Sequence, residues 1–379
     1  MILAGVDRLS DHAGLFAGRR LGLVCHPGSL DKDLVRTLEK LRALPGVRVE
    51  RLFAPEHGLH GVLQNGEKDR DGVDPVSGLP VVSLYGPRRR PEPGHLAGLD
   101  AVVFDIRDVG CRAYTYLATL LDLSCSTAEA GIDLVVLDRP NPAGGIVEGG
   151  GVQAGETGFL APLDVPLRHG LTLGELALLH ARETGLPEPI VVPAAGWRRE
   201  TAAAGDLWIP PSPNLPTSMA ALAYTGMVLI EGTFLSEGRG TTRPFTLIGA
   251  PDIDARALAD RLAATAPTAV RVWPAAFRPV AGKHAGSVCH GVEIHIQDRP
   301  GFRALPLVLE ILAFLRDHAP AAGGIDDGLR RLAGGPGLPD WCAAKGAAPA
   351  ELLSLWREDQ QRYRERVRPV LLYGALAPG

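Results

Sequence analysis

Five short apolar runs in the first half of the chain each lead into side chains able to do chemistry. The first runs into Cys25-His26-Pro27-Gly28 and the second into Ala54-Pro55-Glu56-His57-Gly58. The third leads to Tyr85-Gly86, the fourth to Asp105-Ile106-Arg107-Asp108-Val109-Gly110, and the fifth to Asp138-Arg139-Pro140-Asn141-Pro142. Any one of these polar residues could cap a helix or close a turn. Together they predict a polar cleft, because the carboxyl ends of parallel strands share one edge and ligands bind there. Glu56 lies between rigid Pro55 and permissive Gly58, close behind an apolar run. Partial desolvation at such a place suits a carboxyl to general-acid work. Its structural alternative is an ion pair with Arg107 or Arg112. Hydrolysis of a glycosidic bond needs an acid of this kind and usually a second carboxylate.

Other chemistries lack their residues. No Gly-x-Gly-x-x-Gly follows the first strand, which argues against a dinucleotide site, and no Gly-x-x-x-x-Gly-Lys-Ser/Thr phosphate loop occurs. No Gly-x-Ser-x-Gly elbow follows a strand, which disfavours an α/β-hydrolase. Glu56-His57-Gly58-Leu59-His60 sets two imidazoles near a carboxyl, but not as His-Glu-x-x-His, and its glycine works against a regular helix. No metal is expected. Cys25, Cys111, Cys125, Cys289 and Cys342 are odd in number and form no Cys-x-x-Cys, so free thiols in a reducing compartment are expected.

Positioning these residues requires alternating elements. Strands are expected at Leu21 to Cys25, Val47 to Phe53, Val81 to Leu84, Ala101 to Ile106 and Ile132 to Leu137. Helices are expected at Leu34 to Leu44, Tyr114 to Ala130 (ended by Gly131) and Leu171 to Thr184, with Thr172 as a cap. Further on, Asp254 to Ala264, Leu305 to Asp317 and Glu351 to Val367 read as helices, and Val270 to Trp273 and Val288 to Ile296 as strands. In the last strand Val288, Val292, Ile294 and Ile296 are assigned to one face, and Cys289, Glu293 and His295 to the other. The fold expected is α/β: a Rossmann-like, mainly parallel sheet domain over residues 1–238, and a smaller α/β domain over 239–379 that closes the cleft. The Pro-rich stretch Pro210 to Pro216 is too long for a simple turn and should line a wall.

Composition agrees with a packed globule. The chain has 379 residues, 39 basic against 43 acidic side chains, and a formal charge of -4, which argues against a nucleic-acid or anionic-membrane partner. Its 46 glycines and 32 prolines are spread between apolar runs rather than blocked, which excludes collagen-like and linker-like chains. No apolar run reaches the roughly 18 residues of a membrane helix, and no basic n-region precedes an apolar stretch at the N-terminus. A cytoplasmic location is expected, or export if a leader was removed.

Taken in order, the motifs resemble a known family. They are Phe53-Ala54-Pro55-Glu56-His57-Gly58, Gly66-Glu67, Leu79 to Gly86, Phe104 to Gly110, Tyr114-Thr115-Tyr116, and Val136 to Pro142. Arg168-His169-Gly170, Gly174 to Ala177, Pro211 to Pro216, Glu231-Gly232-Thr233, Ser236 to Thr242 and Gly249-Ala250-Pro251 follow. The pattern is similar to that of the exo-acting β-N-acetylmuramidases, the NamZ family (glycoside hydrolase family 171, formerly DUF1343), over nearly the whole chain. The resemblance implies release of N-acetylmuramic acid from non-reducing ends of peptidoglycan fragments, in a cleft between the two domains, without metal, nucleotide or other cofactor. It makes Glu56 the leading catalytic carboxylate. Two departures stand out: Cys25-His26-Pro27-Gly28 replaces a Thr-Asn-x-Thr-Gly segment, and Arg107 replaces a glutamine.

On that footing Glu67, Asp105 or Glu237 is the expected second carboxylate, unless the substrate's own 2-acetamido group is the nucleophile. Arg139 and Arg239 are candidates for the lactyl carboxylate, and Tyr114 and Tyr116 for a sugar face. Tyr85, Arg107, Asp138 and Asn141 lie on the strand-end loops facing the substrate. His57 and His169 would touch sugar or buttress Glu56, and Ser212 and Asn214 would form a wall. The competing expectation is a non-catalytic saccharide-binding protein that kept the cleft.

Overall fold

The computed structural model describes residues 2–200, 207–265, 269–318 and 327–377. Its first half alternates strands with helices: β1 (Arg20–Cys25), α1 (Thr37–Arg42), β2 (Arg48–Ala54), β3 (Gly72–Val73), β4 (Pro80–Ser83), α2 (Pro93–Leu96) and β5 (Ala101–Asp105). Then come α3 (Tyr116–Ala130), β6 (Asp133–Leu137), α4 (Leu173–Thr184), β7 (Ile190–Val192) and α5 (Ser218–Met227). The second half holds β8 (Leu247–Ala250), α6 (Ala255–Thr265), β9 (Val270–Phe277), β10 (Cys289–Ile296) and α7 (Ala304–His318). Helices α8 (Asp327–Ala333), α9 (Gly337–Ala343) and α10 (Pro349–Val367) follow.

The first seven strands form one sheet in the order β3-β4-β2-β1-β5-β6-β7, parallel except at the β3 edge. Alternate residues serve opposite faces, as the pleat requires. Val24, Phe53, Val102, Phe104 and Val136 belong to the apolar core on the side of α3 and α4, which continues through α5 and α7, whereas Leu23, Leu52, Val103 and Val135 belong to the core on the side of α1 and the N-terminal turns. Both faces are covered, which is why these strands are apolar throughout. The second sheet, β8-β10-β9, is antiparallel and packs on α6.

Local chemistry accounts for the boundaries. Thr172 caps α4 reciprocally with Glu175, and Gly131 ends α3 in the left-handed conformation. The helix expected from Leu34 starts only at Thr37, because Asp31 Oδ1 accepts the Asp33 and Val35 amides in a turn that leaves Leu34 at φ 64°. The helix expected from Tyr114 starts at Tyr116. β9 runs past Trp273 to Phe277; Pro274 is tolerated because β9 is an edge strand. Cys289, assigned to the polar face of β10, is fully buried.

Candidate active site

β2 carries Glu56 to the carboxyl edge of the sheet. The chain turns sharply there, with φ 72° at His57 and 76° at Gly58. A side chain in the left-handed region is strained; at His57 the strain is opposed by the Nδ1–H, which donates to the Leu63 carbonyl at 2.8 Å. Burial favours the neutral imidazole at His57, lowering its pKa against the pull of the Glu56 charge. Three donors converge on the buried Glu56 carboxyl. Thr115 Oγ1 donates to Oε2 at 2.7 Å, the Gly66 amide to Oε1 at 3.3 Å, and the Tyr85 phenol supplies the third. The Tyr85 phenol is pushed up to about 12 by burial, and further by the Glu56 charge and its hydrogen bond to Glu56.

Below this loop Tyr116 donates to the Pro211 carbonyl at 2.6 Å and lies 3.4 Å from the Glu56 carbonyl, so it ties the Pro-rich wall to the Glu56 turn. Tyr114 packs edge-on against Tyr116 and Tyr224, and Tyr224 against Phe245. These contacts run from the first sheet's edge toward the second lobe.

The facing wall comes from the segment after α5. Arg239 Nη1 lies 2.7 Å from Glu231 Oε1 and 3.5 Å from Glu237 Oε1, and Lys283 Nζ lies 3.5 Å from Glu237 Oε2. Burial raises the Glu231 carboxyl to about 7; Arg239 and Lys283 oppose the rise, and Glu237 and Glu56 reinforce it. A pocket of about 50 Å³ is lined by Glu56, His57, Tyr114, Thr115, Ser212, Asn214, Glu231 and Arg239. Asn65, Asn214, Glu231 and Arg239 also line an open cavity of about 1210 Å³, which reaches Glu237, Arg243 and Lys283. Two carboxyls far apart in the sequence thus share one small pocket at the end of a wide polar groove.

Nine of the residues singled out by sequence gather here: Glu56, His57, Tyr85, Tyr114, Tyr116, Ser212, Asn214, Glu237 and Arg239. The others lie elsewhere. Asp105 is fully buried and forms a two-pronged ion pair with Arg139 at 2.6 and 2.9 Å, with Thr37 donating to the same carboxylate. Arg107 and Arg139 line a separate cavity of about 280 Å³. Asp138 accepts from Thr172, Tyr373 and the Gly174 amide. Asn141 spans from the Leu171 carbonyl to the Ala143 amide, and its Oδ1 would lie 2.3 Å from a Cβ at Gly110, where φ is 79°. His169 is buried, with Nδ1 accepting from the Leu171 amide. Glu67 is exposed and caps the Gln64 amide. His60 turns to Asp74 at 3.2 Å rather than joining His57. Among the described residues no group of three or more His, Cys, Asp or Glu could hold a metal.

The comparisons with known proteins agree over nearly the whole length. A family model described as exo-β-N-acetylmuramidase NamZ, N-terminal, matches residues 21–219, and its C-terminal counterpart matches residues 222–373. The chain belongs to the NamZ family. It is 35% identical to the peptidoglycan β-N-acetylmuramidase NamZ of Bacillus subtilis (strain 168), covering 98% of this chain and 91% of that one. Two crystal structures of DUF1343 family proteins from Bacteroides fragilis NCTC 9343 superpose closely. One has a TM-score of 0.90 at 29% identity, over 98% of this chain and 99% of that one; the other has 0.81 at 26%, over 99% of each.

Within this NamZ-family fold, three site residues escaped the sequence reading: Glu231, Thr115 and Lys283. Glu231 and Thr115 stood inside motifs that carried the resemblance, Glu231-Gly232-Thr233 and Tyr114-Thr115-Tyr116, and that was the available signal. Lys283 had none beyond the rarity of lysine.

Proposed function

We propose that the chain is an exo-acting β-N-acetylmuramidase that releases N-acetylmuramic acid from the non-reducing ends of peptidoglycan fragments. The observation that carries this reading is the opposition of Glu56 and Glu231 in one pocket. Their surroundings differ as an acid and its partner require. Glu231 keeps its proton up to about pH 7 and is the donor to the leaving glycosidic oxygen. Glu56, with donors on both its oxygens, faces the substrate as a hydrogen-bond acceptor.

With a 2-acetamido sugar, the substrate's own carbonyl oxygen attacks the anomeric carbon while Glu56 orients the acetamido group and accepts its N–H proton. As the carbon–oxygen bond breaks, the Glu231 proton passes to the departing oxygen. Water then opens the cyclic intermediate, with Glu231 taking a proton from the water and Glu56 returning one to the nitrogen. This gives Glu231 the donor role expected of Glu56 from sequence. The guanidinium groups at the groove, Arg239 and Arg243, suit a substrate bearing a carboxylate.

The direct test is incubation of the purified chain with a chromogenic β-N-acetylmuramide. Release of the chromophore supports the assignment. Binding of muramyl saccharides without any release would leave a binding protein instead.

A further inference from the structure

Only five of the 39 basic residues are lysines, and one of them makes contacts that a guanidinium could not. Lys283 lies in the loop between β9 and β10. Its ammonium faces four main-chain carbonyls of the arc 230–235: Thr233 at 2.7 Å, Glu231 at 2.9 Å, Ile230 at 3.0 Å and Leu235 at 3.1 Å. Glu237 Oε2, at 3.5 Å, supplies a counter-charge. Four carbonyl dipoles converging on one point repel one another unless a positive charge sits among them. An ammonium is a compact point charge with three donors, whereas arginine spreads its donors across a plane.

The loop makes further contacts with the same segment. His284, at φ 57°, donates Nε2–H to the Phe234 carbonyl at 2.7 Å, so two consecutive residues bind five carbonyls of the arc. The Val280 amide donates to the Gly240 carbonyl at 2.9 Å, and a Cβ at Gly240 would lie 2.3 Å from the Ala281 carbonyl oxygen. The hairpin loop is therefore fitted to both ends of the segment that carries Glu231, Glu237 and Arg239.

We propose that Lys283 is a positioning residue, a built-in cation whose ammonium fixes the 230–235 arc so that Glu231 faces Glu56 across the pocket. The inference rests on the reading in which Glu231 acts in the reaction. It assigns Lys283 no contact with the reacting atoms.

The test uses the full chain with Lys283→Ala and Lys283→Arg. Turnover of a chromogenic muramide and amide hydrogen exchange over residues 230–236 are followed with and without methylammonium chloride, against sodium chloride at equal concentration. Misplacing a reacting group by an ångström costs about 100-fold in rate, so kcat should fall by about that factor with little change in KM. Exchange in the arc should quicken in both variants. Methylammonium should partly restore rate and protection to Lys283→Ala, while sodium should not. The alkaline limb of the Lys283→Ala pH profile should move upward, because Lys283 and Arg239 together oppose the burial, Glu237 and Glu56 that raise the Glu231 carboxyl. Wild-type kcat in Lys283→Arg, unaltered exchange in the arc, or a change confined to KM would overturn the proposal. If Lys283→Ala does not fold, Lys283→Arg decides, since it keeps bulk and charge but not convergence. A wild-type chain that releases no chromophore counts against the muramidase reading, and the exchange data still decide the role of Lys283.

Discussion

The Thr115 hydroxyl donates to Glu56 Oε2 at 2.7 Å, joining the turn after β2 to the residue that precedes α3. The contact fixes the rotation of the Glu56 carboxyl. A hydrogen bond to a charged group contributes about 1.5–3 kcal/mol. Thr115→Val should therefore lower kcat by roughly 10- to 100-fold, while Thr115→Ser should keep most of it. Glu56→Gln should cost more, about 10²- to 10⁴-fold. Steady-state kinetics on a chromogenic muramide would check this series, and full turnover by Glu56→Gln would remove the central assignment.

Glu231 predicts the alkaline limb. A carboxyl that donates its proton works only while it holds one, so kcat should fall as pH rises through about 7. Glu231→Gln removes the proton and should abolish both the limb and most of the turnover. A variant with an unchanged pH–rate profile would transfer the acid role elsewhere.

The Asp105–Arg139 pair predicts a stability effect without a catalytic one. Both side chains are almost wholly buried, and neither lines the Glu56 pocket. Breaking a buried pair from one side leaves an uncompensated charge and costs about 3–5 kcal/mol. Arg139→Met should lower the urea midpoint accordingly, while the folded fraction turns over at near the wild-type rate. An unmoved midpoint would argue that Asp105 is satisfied by Thr37 alone.

Asp138 predicts how stability depends on pH. Burial raises its carboxyl from 3.8 to about 6; hydrogen bonds from Tyr373, Thr172 and the Gly174 amide pull against the rise, and Glu175 adds to it. The folded state therefore holds this proton where the unfolded chain has lost it. Its stabilising contribution is full below about pH 4 and is lost as pH rises through about 6, a swing of ~3 kcal/mol. Urea titrations should show wild type losing about that much relative to Asp138→Asn between about pH 4 and about pH 7. Parallel curves would contradict the raised value.

Much of the scaffold was legible because its signals are local. The apolar runs of β1, β2, β5 and β6 and the Thr172 cap of α4 are written in neighbouring residues. β3 and β7 were not visible, since strands of two and three residues carry too little pattern. The site divided along a similar line. Glu56 and its Pro-Glu-His-Gly turn could be read from the sequence, but the rule that ligands gather at strand ends did not separate active ends from filled ones. The strand order reverses between β1 and β5, where a crevice is expected. There Asp105 is occupied by Arg139 and Thr37, and the His26 Nε2 accepts the Arg107 amide. The pocket lies instead beyond β2, and its second carboxyl comes from a segment far along the chain, a pairing that no local spacing encodes.

The Tyr373 hydroxyl donates to Asp138 at 2.6 Å and accepts from the Ala194 amide at 2.9 Å, and its ring packs with Trp197 in a cluster that also includes Ile2. This has a consequence for biosynthesis. The strands of the large sheet have all been translated by Val192, yet the tyrosine that completes their far edge is added almost half a chain later. At ribosomal rates of 5–20 residues per second, the nascent sheet waits roughly 10–40 s with that buried carboxyl lacking one of its donors. Maturation of the first lobe is thereby coupled to synthesis of the last turn, and a chain cut short before residue 373 would carry Glu56 on an unfinished scaffold.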